Sequence, residues 1–267
     1  SSGHETDDPI WTAPVRVPRT VVVLGGGPAG LETARVAALR GHRVTIVEPA
    51  TLGGLAAVAG PNRPLVDWLV AETSRLGVDV VSSPDDAPSD DVVVVQCTGS
   101  QPGRRDYSVT KRATVHDVAD IRRGTATLPS EGDIVLFDPI GGPIGVALAE
   151  ELGSRAVLVT QDQIAGNALA RTGDLAPANV RLAQAGVRIE RRAILRGVAA
   201  RKKGVVVTVA DRFSGVERTI DAAAFVDCGF RLPTDPIDGV DLRAGDCVAP
   251  RTVHEAILEG RRAALAI

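Results

Sequence analysis

Gly25, Gly27 and Gly30 stand in G-x-G-x-x-G spacing within TVVVLGGGPAG, and Glu48 closes the following strand-like run RVTIVE. The glycines carry no reactive side chain, and Glu48 is read here as a hydrogen-bond acceptor. Their chemistry is non-covalent: backbone amides grip a pyrophosphate and a carboxylate grips a ribose. The first glycine permits a tight turn, the second lets backbone approach the phosphates, and the third lets a helix press on a strand. Gly26, Pro28 and Ala29 complete that turn. The alternative is a glycine-rich turn that holds nothing.

Elements must position these groups. Val21 to Leu24 form a short apolar run, as in a strand buried on both faces of a parallel sheet. A helical pattern opens at Pro28, and RVTIVE is the next strand, which makes a βαβ unit. Gly53, Gly54 and Leu55 follow in the TLGGL loop, where bulk would obstruct a ligand crossing the sheet edge. Thr98 and Gly99 end the strand DVVVVQ after Cys97 and turn the chain outward. Gly245 and Asp246 lie near the C-terminus, with Asp246 placed to accept a cofactor hydroxyl or, alternatively, to cap a helix. Arg251 and His254 read as surface residues of the last helix, the alternative being that one of them reaches the cofactor.

The opening unit recurs. DIVLF, GGPIGVALAEEL and AVLVT repeat strand, glycine turn, helix and strand. Gly142 and Gly145 take the second and third glycine positions, and Ile140 stands where the first is expected. The second strand ends in the neutral pair Thr160-Gln161, without an acid for an NAD ribose or an adjacent cation for an NADP phosphate. Arg171 or Arg181 would have to supply such a cation from elsewhere. The rival reading is a domain kept for docking or shape.

Between and around these units the chain reads simply. Residues 1–18 look like a polar linker. A helix is expected over Pro64–Leu76, with Trp68 on its apolar face or at its edge. Residues 195–221 alternate in period two as an antiparallel meander, and Arg196, Arg201, Lys202 and Lys203 read as a solvated turn, with an anion site as the alternative. The expected fold class is α/β, with two Rossmann-like dinucleotide-binding domains and the second inserted into the first. The first would span 19–105 plus 229–267, and the insert 106–228.

Composition narrows the function. A net charge of −3 gives no electrostatic case for nucleic acid or an anionic membrane surface. No apolar run approaches the ~20 residues of a membrane span. Aromatics are 3% of the 267 residues, so the core must be Val, Ala and Leu, which suits packed βα layers. Cys97, Cys228 and Cys247 form no C-x-x-C and no metal-ligand cluster, which points to structural thiols and a reducing cytoplasm. The sequence has no methionine and opens Ser-Ser-Gly in the manner of a cloning remnant. A fragment, a processed subunit or a domain cut from a longer protein is expected.

GGGPAGLETARVAALRGHRVTIVE, LGGL, the Cys97-Thr98-Gly99 strand end and AGDCVAPRTVHEAILEGRRAA occur in this order. Together they resemble the C-terminal half of old-yellow-enzyme-related flavin oxidoreductases, of the 2,4-dienoyl-CoA reductase and trimethylamine dehydrogenase type. The resemblance covers about residues 19–267, and the GD-x-x-APR-T-x-H-E-A ending is its narrowest part. It implies a missing N-terminal TIM barrel carrying FMN and an iron–sulfur cluster. It implies FAD, or in one branch only ADP, on Gly25, Gly27, Gly30 and Glu48, with Gly53 and Gly54 along the diphosphate. Thr98 and Gly99 would line the cofactor channel, and Asp246 would face the ribityl chain. NAD(P)H would enter the second domain in the reductase branch, a role that Ile140 puts in doubt. In the other branch electrons leave the barrel for an electron-transfer protein.

Overall fold

The computed structural model describes residues 8–58, 62–240 and 242–267. In chain order the first elements are α1 (Asp8–Trp11), β1 (Thr20–Leu24), α2 (Pro28–Leu39), β2 (Arg43–Val47), α3 (Arg63–Arg75), β3 (Asp79–Val81) and β4 (Val92–Gln96). Then come β5 (Ser100–Pro102), β6 (Ser108–Val109), β7 (His116–Asp117), α4 (Val118–Arg123), β8 (Ile134–Phe137), α5 (Pro143–Leu152) and β9 (Ala156–Val159). The chain continues through α6 (Leu175–Gln184), β10 (Arg188–Glu190), β11 (Ala193–Ala200), β12 (Val205–Asp211), β13 (Glu217–Ala222) and β14 (Ala224–Asp227). It ends with β15 (Arg231–Pro233), β16 (Leu242–Arg243) and α7 (Val253–Leu265).

The chain divides into two compact units. One gathers the described residues of Ser1–Ala57, Pro61–Gln101 and Arg231–Ile267, and the other gathers Pro102–Phe230 with Val58.

The first unit is built on a parallel sheet of order β16-β4-β1-β2-β3. The valine run of β1 is central and buried on both faces, with Val21 and Val23 fully enclosed. This is why the run shows no polar alternation. Helix α2 packs on that sheet through Leu31, Ala34 and Ala37. Helix α7 lies so close to α2 that a Cβ on Gly260 would sit 2.5 Å from the Ala29 carbonyl oxygen. Thr33 Oγ1 donates to the carbonyls of Ala29 (2.8 Å) and Gly260 (3.2 Å), so the same contact also carries hydrogen bonds.

The polar linker expected over 1–18 is corrected where the chain is described. Asp8–Trp11 is helical, and Trp11 is buried with the Arg261 guanidinium 4.5 Å from its ring centroid. A lone tryptophan in a polar stretch gains its cover from the last helix, which local sequence does not reveal. Ser1–Asp7 lie outside the described residues. Trp68 lies at the edge of its helix, half-exposed, with Arg35 5.3 Å from its ring centroid.

The second unit repeats the plan. Its parallel sheet runs β10-β9-β8-β14-β7. One face meets α5 and α6 through Ile134, Leu136 and Leu158. The other meets the meander β11–β13 through Val135, Phe137 and Phe225. This architecture is α/β with two Rossmann-like domains, the second inserted into the first.

Candidate nucleotide-binding site

Five of the expected site segments come together at the carboxyl end of β1. Gly25 takes φ +108°, and a Cβ there would meet the Cys97 carbonyl oxygen at 2.3 Å. A Cβ on Gly30 would meet the Gly25 carbonyl oxygen at 1.9 Å. Both glycines are therefore required by backbone packing. Gly27 differs: a Cβ there would meet nothing within 4 Å. Its bareness leaves open space at the N-terminus of α2, and no side chain caps that terminus. Free amides and the helix dipole thus face outward, an arrangement that attracts anions.

Glu48 stands one residue beyond β2. Its carboxylate accepts from the Gly26 amide (2.8 Å) and the Ala50 amide (3.0 Å), which fixes an acid beside the turn. The loop after it folds back: the Gly53 amide donates to the Gly26 carbonyl at 2.7 Å. Gly54 sits so near Gly27 that its Cβ would lie 3.5 Å from the Gly27 Cα. Pro28 opens α2, and Leu55 is half-buried on the 3-10 turn Gly54–Val58.

Gly245 reaches the same turn from the far end of the chain, since its Cβ would meet the Ala29 Cβ at 2.6 Å. Asp246 follows it, half-buried, with two long contacts: Ser100 Oγ at 3.5 Å and the Arg251 amide at 3.4 Å. Burial raises its carboxyl above the ordinary range, against the Arg251 amide, the Ser100 hydroxyl and nearby arginines. Such a carboxylate retains capacity to accept a ligand hydroxyl. Asp246 is not the cap of α7; Thr252 is, in a capping box with Glu255.

Thr98 and Gly99 form the turn that follows β4. The Thr98 hydroxyl is engaged by Gln96 Nε2 (3.0 Å) and Thr234 Oγ1 (2.6 Å), and Gly99 turns the chain at φ +79°.

Two positioning residues escaped the sequence reading. Gln96, fully buried, donates to Thr98 Oγ1 and to the Asp235 carbonyl (2.8 Å) and accepts from the Ile237 amide (3.1 Å). It clamps the loop behind Thr98. Glu259 accepts from the Gly245 amide (2.8 Å) and from Arg251, which holds the Gly245–Asp246 turn. A buried glutamine ending a valine strand was a readable signal. The Glu259 contact, from a residue on α7, was not.

The second unit carries the same backbone skeleton with different contents. The Gly25 amide donates to the Val47 carbonyl, and the Asp138 amide donates to that of Val159, both at 2.9 Å. The Cys97 amide donates to the Leu24 carbonyl (2.7 Å), and the Cys228 amide to that of Phe137 (2.8 Å). The Glu48 amide donates to Val81, and the Thr160 amide to Glu190, both at 2.9 Å. Asp138, not Ile140, therefore occupies the first-glycine position, and Thr160 stands where Glu48 does. Spacing misplaced the equivalence because Gly25 and Gly26 separate β1 from its helix N-cap Gly27, whereas Asp138 to Gly141 separate β8 from Gly142. Gly142 and Gly145 retain their places in the turn. Arg181 is held by Glu150 (3.1 Å) and Asp174 (2.9 Å).

All three cysteines are free and buried. Burial raises the Cys97 thiol to about 12 and lifts that of Cys228 well above its ordinary value. Cys97 and Cys228 are packing residues, not thiolate nucleophiles. Among the described residues no His, Cys, Asp or Glu cluster could hold a metal, and no helix is long and apolar enough to cross a membrane.

No family model matches the chain. It is 30% identical over 304 aligned positions to N,N-dimethylglycine/sarcosine dehydrogenase of Chromohalobacter salexigens, covering 91% of this chain and 43% of that protein. It is 34% identical over 166 residues to an NADH oxidase of Thermoanaerobacter brockii, covering 57% of this chain and 25% of the relative. Among solved structures, histamine dehydrogenase from Rhizobium sp. 4-9 superposes with a TM-score of 0.78 at 25% identity, over 96% of this chain and 42% of that one. Thioredoxin reductase from T. acidophilum shares the fold at a TM-score of 0.64 and 18% identity, over 93% of this chain and 97% of its own. The chain thus spans less than half the length of the dehydrogenase relatives and nearly all of a two-domain reductase. By sequence and by fold, the chain is a relative of the old-yellow-enzyme-related flavin oxidoreductases.

Proposed function

We propose that this chain is the dinucleotide-binding module of a flavin-dependent oxidoreductase and that its first unit holds FAD by the adenosine diphosphate portion. The observation that carries this reading is the open, uncapped N-terminus of α2 beside Gly27, with the Glu48 carboxylate fixed at its edge. The free amides of Ala29 and Gly30 would take the diphosphate, and Glu48 would take the ribose hydroxyls. Asp246 would accept from the ribityl chain, and Gly53, Gly54, Leu55, Thr98 and Gly99 would leave room along the cofactor's path. When bound, FAD supplies the two-electron chemistry that this chain's own side chains lack. The fitting partner is an N-terminal barrel portion carrying FMN and an iron–sulfur cluster, with an electron-transfer protein as further acceptor. Three buried, unpaired thiols suit a reducing compartment, the cytoplasm.

A second reading is that the unit holds ADP as a structural ligand. It is favoured by the unequal support at the two ends of the site: an adenosine end with several convergent groups, and a flavin end resting on Asp246. The test is to purify the chain, denature it and record the absorbance of what is released. A visible flavin band supports FAD, and ultraviolet adenine absorbance alone supports ADP. Neither, together with no calorimetric binding of FAD or ADP, overturns both.

A further inference from the structure

We propose that the phosphate turn of the second unit carries its own resident anion, the Asp138 carboxylate, which closes a latent pyrophosphate site at the N-terminus of α5. This reading does not depend on what the first unit binds. Asp138 is 2% exposed, and its Oδ1 accepts from the amides of Ile140 (3.1 Å) and Gly141 (2.7 Å). These are the amides of the turn leading into α5, a helix of 10 residues whose N-cap Gly142 offers no side chain. Asp138 Oδ2 is buried with no hydrogen-bond partner and points at the helix: a Cβ on Gly145 would meet it at 2.9 Å. An acid thus lies in the turn itself, where the first unit has bare glycine. A carboxylate in this turn places negative charge where a phosphate would have to sit, and the covalently attached anion is present at high effective concentration.

The surroundings agree. The Gly141 carbonyl accepts from the Ala168 amide at 3.1 Å, and a Cβ on Gly141 would meet the Asn167 nitrogen at 2.5 Å, so the lengthened loop is sewn down. Thr160 offers no carboxylate for a ribose, and the Gln161 carbonyl is taken by Arg212 (3.2 Å). The cavity at this sheet edge, lined by Phe137, Pro139, Gln161 and Asp227, holds about 110 Å³. On this reading the acid in the turn and the neutral Thr160 both disfavour NADH and NADPH in the second unit.

The experiment compares wild type with Asp138→Ala by calorimetry, with ADP present throughout and inorganic pyrophosphate as probe. The backbone of Asp138 is not in the left-handed region, so alanine fits it. Expected is no saturable heat from wild type and at least a tenfold gain in pyrophosphate affinity for Asp138→Ala. That gain should vanish when Gly142→Val is added. Asp138→Asn, which keeps an acceptor on the same amides, should show no gain and serves as the folded reference. Should Asp138→Ala fail to fold, Asp138→Gly, the residue found at the matching place in the first unit, takes its role. The proposal is overturned by a folded Asp138→Ala or Asp138→Gly without gain, or by a gain that survives Gly142→Val. It is equally overturned by wild type that binds NADH or NADPH saturably and loses that binding in Gly142→Val.

Discussion

The two glycine turns hold the same backbone hydrogen bonds and differ in where the negative charge comes from. In the first, the acid is Glu48, on the neighbouring strand end, and the space over Gly27 stays open. In the second, the acid is Asp138, inside the turn, where it accepts from the Ile140 and Gly141 amides and lies against the start of α5. The comparison teaches that a parallel sheet can keep its ladder while one residue after the first strand decides whether the turn carries its own acid or stays bare. Architecture and binding capacity are separable.

The contrast breaks most readily at the third glycines. In Gly30→Ala the new methyl would meet a backbone carbonyl at 1.9 Å, which cannot move without shifting α2 from β1. We expect a loss of about 3 kcal/mol or more. In Gly145→Ala the nearest atom is the Asp138 carboxylate at 2.9 Å, a side-chain end that can swing. The expected loss is about 1 kcal/mol. Denaturant midpoints of the two variants test this, and equal losses would remove the asymmetry.

Asp138 should also mark its unit by pH. Burial raises its carboxyl from 3.8 to about 6, against the downward pull of the Gly141, Ile140 and Gly142 amides. The folded chain therefore holds this proton more tightly than the unfolded one. Its contribution to stability is fully present below about pH 4 and is lost as pH rises through about 6, a swing of about 3 kcal/mol. Asp138→Asn should flatten that part of the profile and be the more stable protein above pH 6. Parallel profiles for the two proteins would show that the carboxyl is not desolvated.

Much of this was legible because it was local. Valine runs announced the strands, and Gly25, Gly27 and Gly30 announced the turn and its helix. What was not legible depended on partners distant in sequence, or on loop length. Trp11 reads as part of a polar tail until Arg261 covers it. Gln96 acquires its meaning from Asp235 and Ile237. Asp138 was overlooked because glycine spacing counts residues along the chain, whereas equivalence is set by the ladder, and the second turn is longer. The capping box of α7 was available in Thr252-x-x-Glu255 and was simply outweighed by the acid at Asp246.

The first turn can be sharpened by Glu48→Ala. The variant removes a charged acceptor from the ribose position and also frees the Gly26 amide. Adenine-nucleotide affinity should fall by about 2 kcal/mol, roughly thirtyfold. Calorimetry with ADP reads it directly, and undiminished affinity would detach Glu48 from the site.

The smallest effect separates a structural acid from a binding one near the C-terminus. Thr252 and Glu255 satisfy the first turn of α7 reciprocally, so Thr252→Ala should cost about 1 kcal/mol in stability and leave nucleotide affinity unchanged. Asp246 caps nothing, and burial makes its charge unfavourable in the folded chain. Asp246→Asn should therefore leave stability level or slightly higher at neutral pH while weakening FAD relative to ADP. Only FAD carries the ribityl hydroxyls that this carboxylate would accept. If Asp246→Asn weakened the two nucleotides equally, the carboxylate would be acting on the part they share, and its place at the flavin end would be lost.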